Sequence, residues 1–201
     1  MVKYKSKGFI LARPLSFNPT EKLFIAMNVF WLNGFNESSL AMLLDEMSIN
    51  KYSLYRQFGN KEALFSQALD YYNREVFSPI IEPLRQLNGK TSINAYLENF
   101  SAYIEHTQAQ YGCLIMNTLS AGNTLPEIHR KQAKDMAKEL HCLLKKNFKL
   151  AKEKEDLKQE VDACVHFTIM TIQALLHTRK TMGLKVTKSN ICFFQKALRD
   201  W

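Results

Sequence analysis

The sequence predicts an all-α fold of about nine helices, and three observations support this prediction. Apolar residues recur three and four positions apart in nearly every segment, which is typical of helices with one buried face. No stretch shows the strict alternation of a half-buried strand. Only seven glycines and five prolines interrupt the 201 residues, and 46% hydrophobic with 23% charged residues is typical of a globular protein.

The first helix is predicted to begin at Asn18 and to end at Asn33-Gly34. Asn18 can cap the helix, Pro19 suits its first position, and Glu21 lies three residues after the cap, as in a capping box. A glycine at the end permits a left-handed C-cap. One side of the helix is apolar and carries Leu23, Phe24, Met27, Phe30 and Trp31.

The next two helices are predicted to be short and closely spaced. Ser38 and Ser39 can cap the second helix. Its apolar residues have the spacing i, i+3, i+4, i+7 and are Leu40, Leu43, Leu44 and Met47. Only residues 48–50 separate it from the third helix, which Asn50 can cap and Gly59 ends. Leu54, Tyr55 and Phe58 are available to face inward from the third helix.

Asn60 can cap a fourth helix, which is predicted to end at Ser78-Pro79. Its buried stripe is predicted to consist of Leu64, Phe65, Ala68, Leu69, Tyr72 and Val76. Further helices are predicted over residues 80–87, 93–108, 113–121, 126–150, 160–182 and 189–198. The predicted domain organisation is a basic arm over residues 1–16, a DNA-binding domain over 17–78, and a helical ligand-binding and dimerisation domain over 79–201.

The chain is basic, with a formal net charge of +8 and a sequence pI of about 9.3. Its N-terminal arm is basic as well, because Lys3, Lys5, Lys7 and Arg13 all precede the first acidic residue, Glu21. Such an arm can contact the phosphates of a nucleic acid. It can equally serve as a disordered, solubilising tail, and the sequence leaves both interpretations open.

The cysteines and apolar runs indicate a cytoplasmic protein with reduced thiols. Cysteines 113, 142, 164 and 192 form no CxxC pair and do not have the spacing of a disulfide framework. The longest apolar run, residues 163–176, contains His166 and Gln173 and is too short to span a membrane. The apolar patch near the N-terminus, residues 9–12, is too short for a signal peptide.

Residue patterns that would indicate an enzyme or a metal site are not found in the sequence. There is no glycine-rich phosphate loop, no nucleophile elbow and no metal motif, so we expect no catalytic residues and no cofactor. The cysteine and histidine pairs Cys164-x-His166 and His141-Cys142 are too close in sequence for each pair to share one metal ion.

Two helices joined by a three-residue turn form the helix-turn-helix pattern. In DNA-binding proteins the second of these helices lies in the major groove and contacts the edges of the bases. Polar side chains between Lys51 and Arg56 can face outward here, while Leu54 and Phe58 face the core. Lysine and arginine can donate to guanine, and tyrosine and serine hydroxyls can reach phosphates. The same local pattern also occurs in plain helical bundles, which is the alternative.

A longer set of residues supports the DNA-binding interpretation. Its members are Gly34-Phe35, Ser39, Leu43, Ile49, Ser53-Leu54-Tyr55, Phe58 and Lys61-Glu62-Ala63-Leu64. In identity and spacing they resemble the TetR family of bacterial transcriptional regulators, over roughly Phe17 to Phe77. The segment SLYRQFGNKEAL is the most specific part of the resemblance.

Three residues depart from the family pattern. Leu44 stands where the family usually has alanine, which implies looser or shifted packing of the second helix. Ser48 stands where it usually has glycine, and serine resists the positive φ that glycine tolerates. Tyr52 replaces a residue that is commonly small, so an aromatic ring would lie at the DNA and tune the choice of binding site.

The resemblance implies a ligand-responsive repressor that binds a pseudo-palindromic double-stranded operator as a homodimer. Ser39, Tyr55 and Lys61 are implied to contact phosphates, and the start of the third helix is implied to face the groove. The complete set of implied DNA-binding residues is Ser39, Lys51, Tyr52, Ser53, Tyr55, Arg56, Gln57 and Lys61.

The C-terminal part of such a protein is implied to dimerise through its last two long helices and to bind a small-molecule effector. Candidates for the dimer interface are Phe167, Ile169, Met170, Ile172, Leu175, Leu176, Phe193, Phe194 and Leu198. Candidates for a ligand pocket are Phe100, Tyr103, Ile104, Cys113, Met116, Leu119, Met170 and His177. Every residue of both sets can instead be an ordinary core residue.

The segment Gly112-Cys113-Leu114 has two interpretations. It resembles one branch of the family that includes regulators sensing electrophiles through this cysteine. A thiol at a helix N-terminus has a lowered pKa because the helix dipole stabilises the thiolate. The alternative is a small, buried packing residue. The function therefore has alternatives as well: an electrophile or redox sensor acting through Cys113, or a helical ligand-binding or adaptor protein with a non-functional helix-turn-helix.

Overall fold

The computed structural model describes residues 17–154 and 156–201, and these residues form ten α-helices and no strand. The predicted all-α fold is therefore confirmed, while the predicted basic arm, residues 1–16, lies outside the described residues. In chain order the helices are α1 Pro19–Glu37, α2 Leu40–Glu46, α3 Lys51–Phe58, α4 Lys61–Tyr72, α5 Ser78–Arg85, α6 Lys90–Glu105, α7 Leu114–Ser120, α8 Glu127–Glu153, α9 Val161–Thr181 and α10 Leu184–Arg199.

Side-chain caps fix the starts of the first four helices, as predicted. Asn18 accepts a hydrogen bond from Thr20 N at 2.9 Å, and Ser39 accepts one from Met42 N at 3.1 Å. The side-chain oxygens of Asn50 and Asn60 each accept a backbone N–H three residues further on, at 2.8 Å. Because each cap satisfies a backbone donor that the helix leaves unpaired, these short helices have well-defined starts.

The ends of α1 and α3 are set by glycine. Gly34 has φ 79° and interrupts the helical geometry of α1, and Gly59 has φ 82° at the end of α3. Only glycine adopts this left-handed region at little cost, so the chain can reverse direction here without strain.

The predicted end of the fourth helix at Ser78-Pro79 is wrong. Residues 73–77 form a single π-helical turn, and α5 follows it without a break up to Arg85. Pro79 lies in the first turn of α5, where the missing N–H of proline is tolerated. Residues 61–85 are therefore one continuous helical segment, and the proposed domain boundary lies inside it.

The last helix begins at Leu184, five residues before its predicted start. Thr187 occupies a buried position on its inner face, and its hydroxyl donates to Gly183 O at 2.8 Å. Because Thr187 is polar, the apolar spacing of the helix is broken at this core position, and the sequence did not show the true start. The Thr187 hydroxyl can be buried because the backbone carbonyl accepts its hydrogen bond.

The N-terminal helices pack directly on the C-terminal part. Trp31 of α1 lies edge-on against Tyr72 of α4, with ring centroids 4.9 Å apart. The indole N–H of Trp31 donates to Gly112 O, just before α7, at 3.2 Å. α8 packs against α7, α9 and α6, and α10 packs against α9. Within the described part of the chain, no helix is long and apolar enough to cross a membrane.

Replacing Ser48 with glycine is expected to raise the free energy of unfolding by about 0.5–1 kcal/mol. Ser48 has φ 49° in the turn between α2 and α3, so the serine adopts the positive φ that this residue type resists. Urea unfolding checks the prediction. Ser101→Gly, in the middle of α6, is the matched control and should lower stability by about the same amount. A loss of stability in Ser48→Gly would contradict the expectation.

Candidate DNA interface and small-molecule cavity

The two faces of α3 have opposite environments. Leu54 and Phe58 are buried, with 0% and 3% of their surface exposed, and they attach the helix to the core. Tyr52 is 73% exposed and Tyr55 is 46% exposed. Lys51 shares this exposed face, with its ammonium nitrogen 5.8 Å from the centre of the Tyr55 ring. The predicted division into an attached and a free face is therefore confirmed for Leu54 and Phe58, whereas Tyr55, which the spacing left available to face inward, lies on the exposed face.

The other predicted DNA-binding residues surround this exposed face. Arg56 is exposed, and Ser53 and Gln57 are half-buried on the same helix. Ser39 uses its hydroxyl oxygen as the α2 cap, so its hydroxyl hydrogen remains available to donate to an acceptor.

Lys61 is positioned by an aromatic ring at the start of α4. Its ammonium nitrogen lies 4.4 Å from the centre of the Phe35 ring, a cation–π contact. Burial lowers the pKa of Lys61, and the nearby Glu37 carboxylate opposes this shift. The ring contact fixes the direction of a side chain that would otherwise sample many rotamers.

Gln67 was not predicted and fixes the end of α3 relative to α4. Its side-chain amide donates to Phe58 O at 2.9 Å and to Ala63 O at 3.1 Å. The sequence contains no signal for this role, because a glutamine in a helix gives no indication of which carbonyl groups of a preceding helix lie within its reach.

A cavity of about 90 Å³ lies between the N-terminal and C-terminal helices. Four of the eight predicted ligand-pocket residues line it: Phe100, Tyr103, Cys113 and Met116. Residues from α4 to α9 complete the lining, namely Tyr72, Phe77, Ile80, Ile81, Tyr96, Ile115, Ala137, Leu140, Ile169, Ile172, Gln173 and Leu176.

The other four predicted ligand-pocket residues do not line the cavity. Met170 is 62% exposed and His177 is also exposed, because α9 turns Ile169 and Gln173 toward the cavity instead. Neighbouring helix positions differ by about 100° around the axis, so a shift of one residue moves a side chain to another face. The remaining two, Ile104 and Leu119, lie at buried and half-buried positions away from the cavity lining.

The expected lowering of the Cys113 pKa is wrong. Cys113 precedes the first residue of α7, as predicted, but burial raises the pKa of its thiol. Hydrogen bonds from the backbone and from the Tyr72 hydroxyl oppose this shift without overcoming it. The interpretation as a packing residue of the cavity wall is favoured by this environment, since a raised pKa reduces the thiolate fraction.

Two family models match the chain. The model described as "Bacterial regulatory proteins, tetR family" matches residues 25–68, which contain the helix-turn-helix. The model described as "Tetracyclin repressor-like, C-terminal domain" matches residues 89–187. The chain belongs to the TetR family. This assignment confirms the resemblance seen in the sequence.

Two curated TetR-type relatives come from Escherichia coli (strain K12). The chain is 28% identical over 135 residues to the HTH-type transcriptional repressor BdcR and 31% identical over 143 residues to the HTH-type transcriptional repressor ComR. Each match covers 66% of this chain, and 64% and 66% of the two relatives. The chain thus matches slightly less than two thirds of the length of these proteins.

A solved structure of the TetR-family regulator CifR has the same fold with a TM-score of 0.78. It is a cysteine mutant in complex with a 26-base-pair double-strand operator DNA, and it is 26% identical to this chain. The match covers 94% of this chain and 100% of the CifR chain, so both parts of this TetR-family fold are included.

The outer face of α9 and α10 in this TetR-family chain carries large exposed apolar side chains. Phe167, Met170 and Phe193 are 49%, 62% and 75% exposed, and Phe167 and Phe193 border a shallow groove of about 250 Å³. Of the other dimer-interface candidates, Leu175 and Phe194 are buried but line this groove, Ile169 is half-buried, and Ile172, Leu176 and Leu198 are buried. Three of the nine candidates are therefore exposed on this face, and two more line the groove.

His129 connects the first turn of α8 to helices α1 and α4 of this TetR-family chain. Its Nδ1 lies 3.1 Å from Ser66 Oγ, and its ring lies 4.9 Å from Phe65 and 5.4 Å from Phe35 between centroids. The side chain is fully buried, and its Nε2 has no hydrogen-bond partner within residues 17–154 and 156–201. Burial lowers the pKa of His129, while the Glu62 carboxylate opposes this shift.

Acidification below pH 6.5 is therefore expected to destabilise the folded chain through His129. The folded-state pKa lies below the ordinary value of 6.5, so the unfolded chain binds the proton first as the pH falls. The resulting loss is at most about 1.4 kcal/mol per pH unit for one proton. Chemical unfolding between pH 7.5 and 5 measures it. His129→Gln should show a shallower dependence, and a control at the exposed His177, His177→Gln, should keep the wild-type slope.

Proposed function

We propose that this TetR-family chain is a cytoplasmic transcriptional repressor that binds a pseudo-palindromic DNA operator as a homodimer and releases it when a small molecule occupies the cavity. Residues 17–78 bind the operator, residues 79–201 dimerise and bind the effector, and the basic residues of segment 1–16 add phosphate contacts. No enzymatic step is part of this proposal.

The observation that carries the proposal is the exposed polar face of α3. A helix of only eight residues gains little by folding in isolation. Held by Leu54 and Phe58, it presents side chains suited to bases and phosphates. The proposed contacts are Ser39, Lys51, Tyr52, Ser53, Tyr55, Arg56, Gln57 and Lys61.

The comparisons support the same activity. BdcR and ComR are named transcriptional repressors, and CifR is seen in complex with operator DNA. A net charge of +8 suits a partner that is a polyanion. The exposed apolar face of α9 and α10 supplies the homodimer contact, and a two-fold axis would place two recognition helices about 34–36 Å apart.

Continuity of one helix supports the link between effector and DNA. Lys61 is the first residue of α4, and Tyr72, the last residue of the same helix, lines the cavity. A ligand that displaces the Tyr72 ring would also shift α4 and hence α3. By linkage, such a ligand must bind the DNA-free state more tightly than the DNA-bound state.

Selection of bound sites from random double-stranded DNA by the purified full chain tests the proposal. The expected result is a dyad-symmetric consensus whose half-sites lie one helical turn apart, or a multiple of a turn. Binding should weaken steeply as salt concentration rises, because phosphate contacts release counterions. Recovery of sequences with no enriched motif at any salt concentration would refute a sequence-specific regulator.

Tyr55→Phe is expected to weaken operator binding at least about tenfold, since a hydrogen bond to a charged phosphate contributes about 1.5–3 kcal/mol. The hydroxyl lies on the 46% exposed side chain, so its removal leaves the core intact. Fluorescence anisotropy with the selected operator measures the affinity. Tyr71→Phe, the same chemical change on α4, should bind as the wild type does. An unchanged affinity in Tyr55→Phe would rule out its phosphate contact.

A further inference from the structure

The cavity between α4 and α9 is lined without a single charged side chain. Its walls are aliphatic and aromatic, and the polar groups among them are Tyr72, Tyr96, Tyr103, Cys113 and Gln173. An ion that entered would lose its hydration without gaining a counter-charge, at a cost of several kcal/mol. The lining therefore selects against carboxylates, phosphates and ammonium groups.

Two hydrogen-bond donors of this cavity are directed to sulfur atoms. The Tyr72 hydroxyl donates to Cys113 Sγ at 3.6 Å, and the Gln173 amide donates to Met116 Sδ at 3.5 Å. Both acceptors are sulfur atoms, which accept hydrogen bonds only weakly. These donors would gain from a ligand oxygen within reach.

Tyr103 provides the strongest indication of what a ligand supplies. Its hydroxyl oxygen is buried and has no hydrogen-bond partner in the part of the chain that the structure describes. Burial raises the pKa of Tyr103, and a hydrogen-bond interaction with the neighbouring Tyr72 hydroxyl opposes this rise, but the Tyr72 hydroxyl has its donor geometry toward the Cys113 sulfur, at 3.6 Å. An unsatisfied buried hydroxyl costs about 1–3 kcal/mol. An acceptor oxygen on a ligand would remove this cost.

Size and access restrict the ligand further. A cavity of about 90 Å³ is smaller than the roughly 150 Å³ that holds one benzene molecule, so it fits about four non-hydrogen atoms. Ile80 and Tyr103 also border an open groove of about 420 Å³ on the outer surface. Glu75 and His106 line that groove and not the cavity. The groove is the natural route of entry, past the Tyr103 ring.

We propose that this cavity binds a small, uncharged organic molecule carrying a hydrogen-bond-accepting oxygen, such as a ketone, aldehyde or ether, and that Tyr103 donates to that oxygen. The inference deepens the proposed function, because it assigns the chemical class of the effector. Only the step from binding to DNA release rests on the proposed function; binding itself does not.

Acetone and acetate are suitable probes, because both have four non-hydrogen atoms in a planar arrangement and they differ in charge. Methyl-labelled methionine makes the cavity visible by NMR, since Met116 lines it, while Met170 is 62% exposed and lies outside. Acetone is expected to shift the Met116 methyl signal saturably at millimolar concentrations and to leave Met170 unchanged. Acetate and ethylammonium are expected to shift neither.

Tyr103→Phe should weaken acetone binding by about three- to tenfold, the effect of losing one neutral hydrogen bond. Tyr111→Phe, which removes a hydroxyl outside the cavity lining, should bind acetone as the wild type does. Equal acetone affinity in a folded Tyr103→Phe would overturn the role of Tyr103. If that variant does not fold, the comparison of acetone with acetate and ethylammonium in the wild type decides the class of ligand.

The two proposals fail in different ways. The titration contains no DNA, so a Met116 signal that responds to acetate as strongly as to acetone, or to no probe, overturns the ligand class alone. The selection of operator sites would be unaffected by that outcome. If acetone binds as expected but leaves operator affinity unchanged at saturation, the ligand class stands and the proposed release of DNA is wrong.

Discussion

Phe193→Arg is expected to convert the proposed homodimer into a monomer and to lower operator affinity by at least about a hundredfold. Phe193 is 75% exposed on α10 and lines the same groove as the exposed Phe167 of α9. In a two-fold interface each substitution occurs on both partners, so two charges would be buried or brought together at one contact. A monomer binds half-sites singly and loses the effective concentration that dimerisation supplies.

Sedimentation velocity measures the mass of the particle, and anisotropy with the selected operator measures its affinity. Ile128→Arg is the matched control, because Ile128 is 62% exposed on α8 and lies outside the α9–α10 groove. We expect this control to remain dimeric and to bind the operator normally. A Phe193→Arg protein that sediments as a dimer would show that the exposed face of α9 and α10 is not the contact between copies.

Leu54→Ala is expected to lower the free energy of unfolding by about 3 kcal/mol, within the range for leucine truncation in a core. Leu54 is completely buried and is one of two side chains that attach α3 to the core. Its truncation leaves a cavity under a helix of only eight residues, which has little stability of its own. Operator affinity should fall as well, because the recognition helix loses its fixed position.

Urea unfolding measures the loss of stability, and Tyr52→Ala provides the contrast on the same helix. Tyr52 is 73% exposed, so its truncation should change stability by no more than about 0.5 kcal/mol. The same change should alter the preferred operator sequence if the ring lies against DNA. An equal loss of stability in the two variants would show that α3 is not attached through Leu54.

The helix-turn-helix was predictable because its signals are local. The caps at Asn18, Ser39, Asn50 and Asn60 accept hydrogen bonds from backbone groups within three residues, and Gly59 ends α3 through its own positive φ. Those residues have the same consequence in almost any tertiary context, so the sequence by itself determined where these helices begin and how α3 divides into two faces.

The cavity and the contact between the two parts were decided by tertiary structure. Whether Met170 or Ile169 reaches the cavity depends on the rotation of α9 against its neighbours, which an apolar helix on its own does not specify. The position of His129 against Phe35 likewise joins residues far apart in sequence. The same holds at Cys113, where burial by other helices outweighs the local dipole and raises the pKa of the thiol. Local sequence fixes backbone hydrogen bonds within a turn, whereas burial is a property of all the helices packed together.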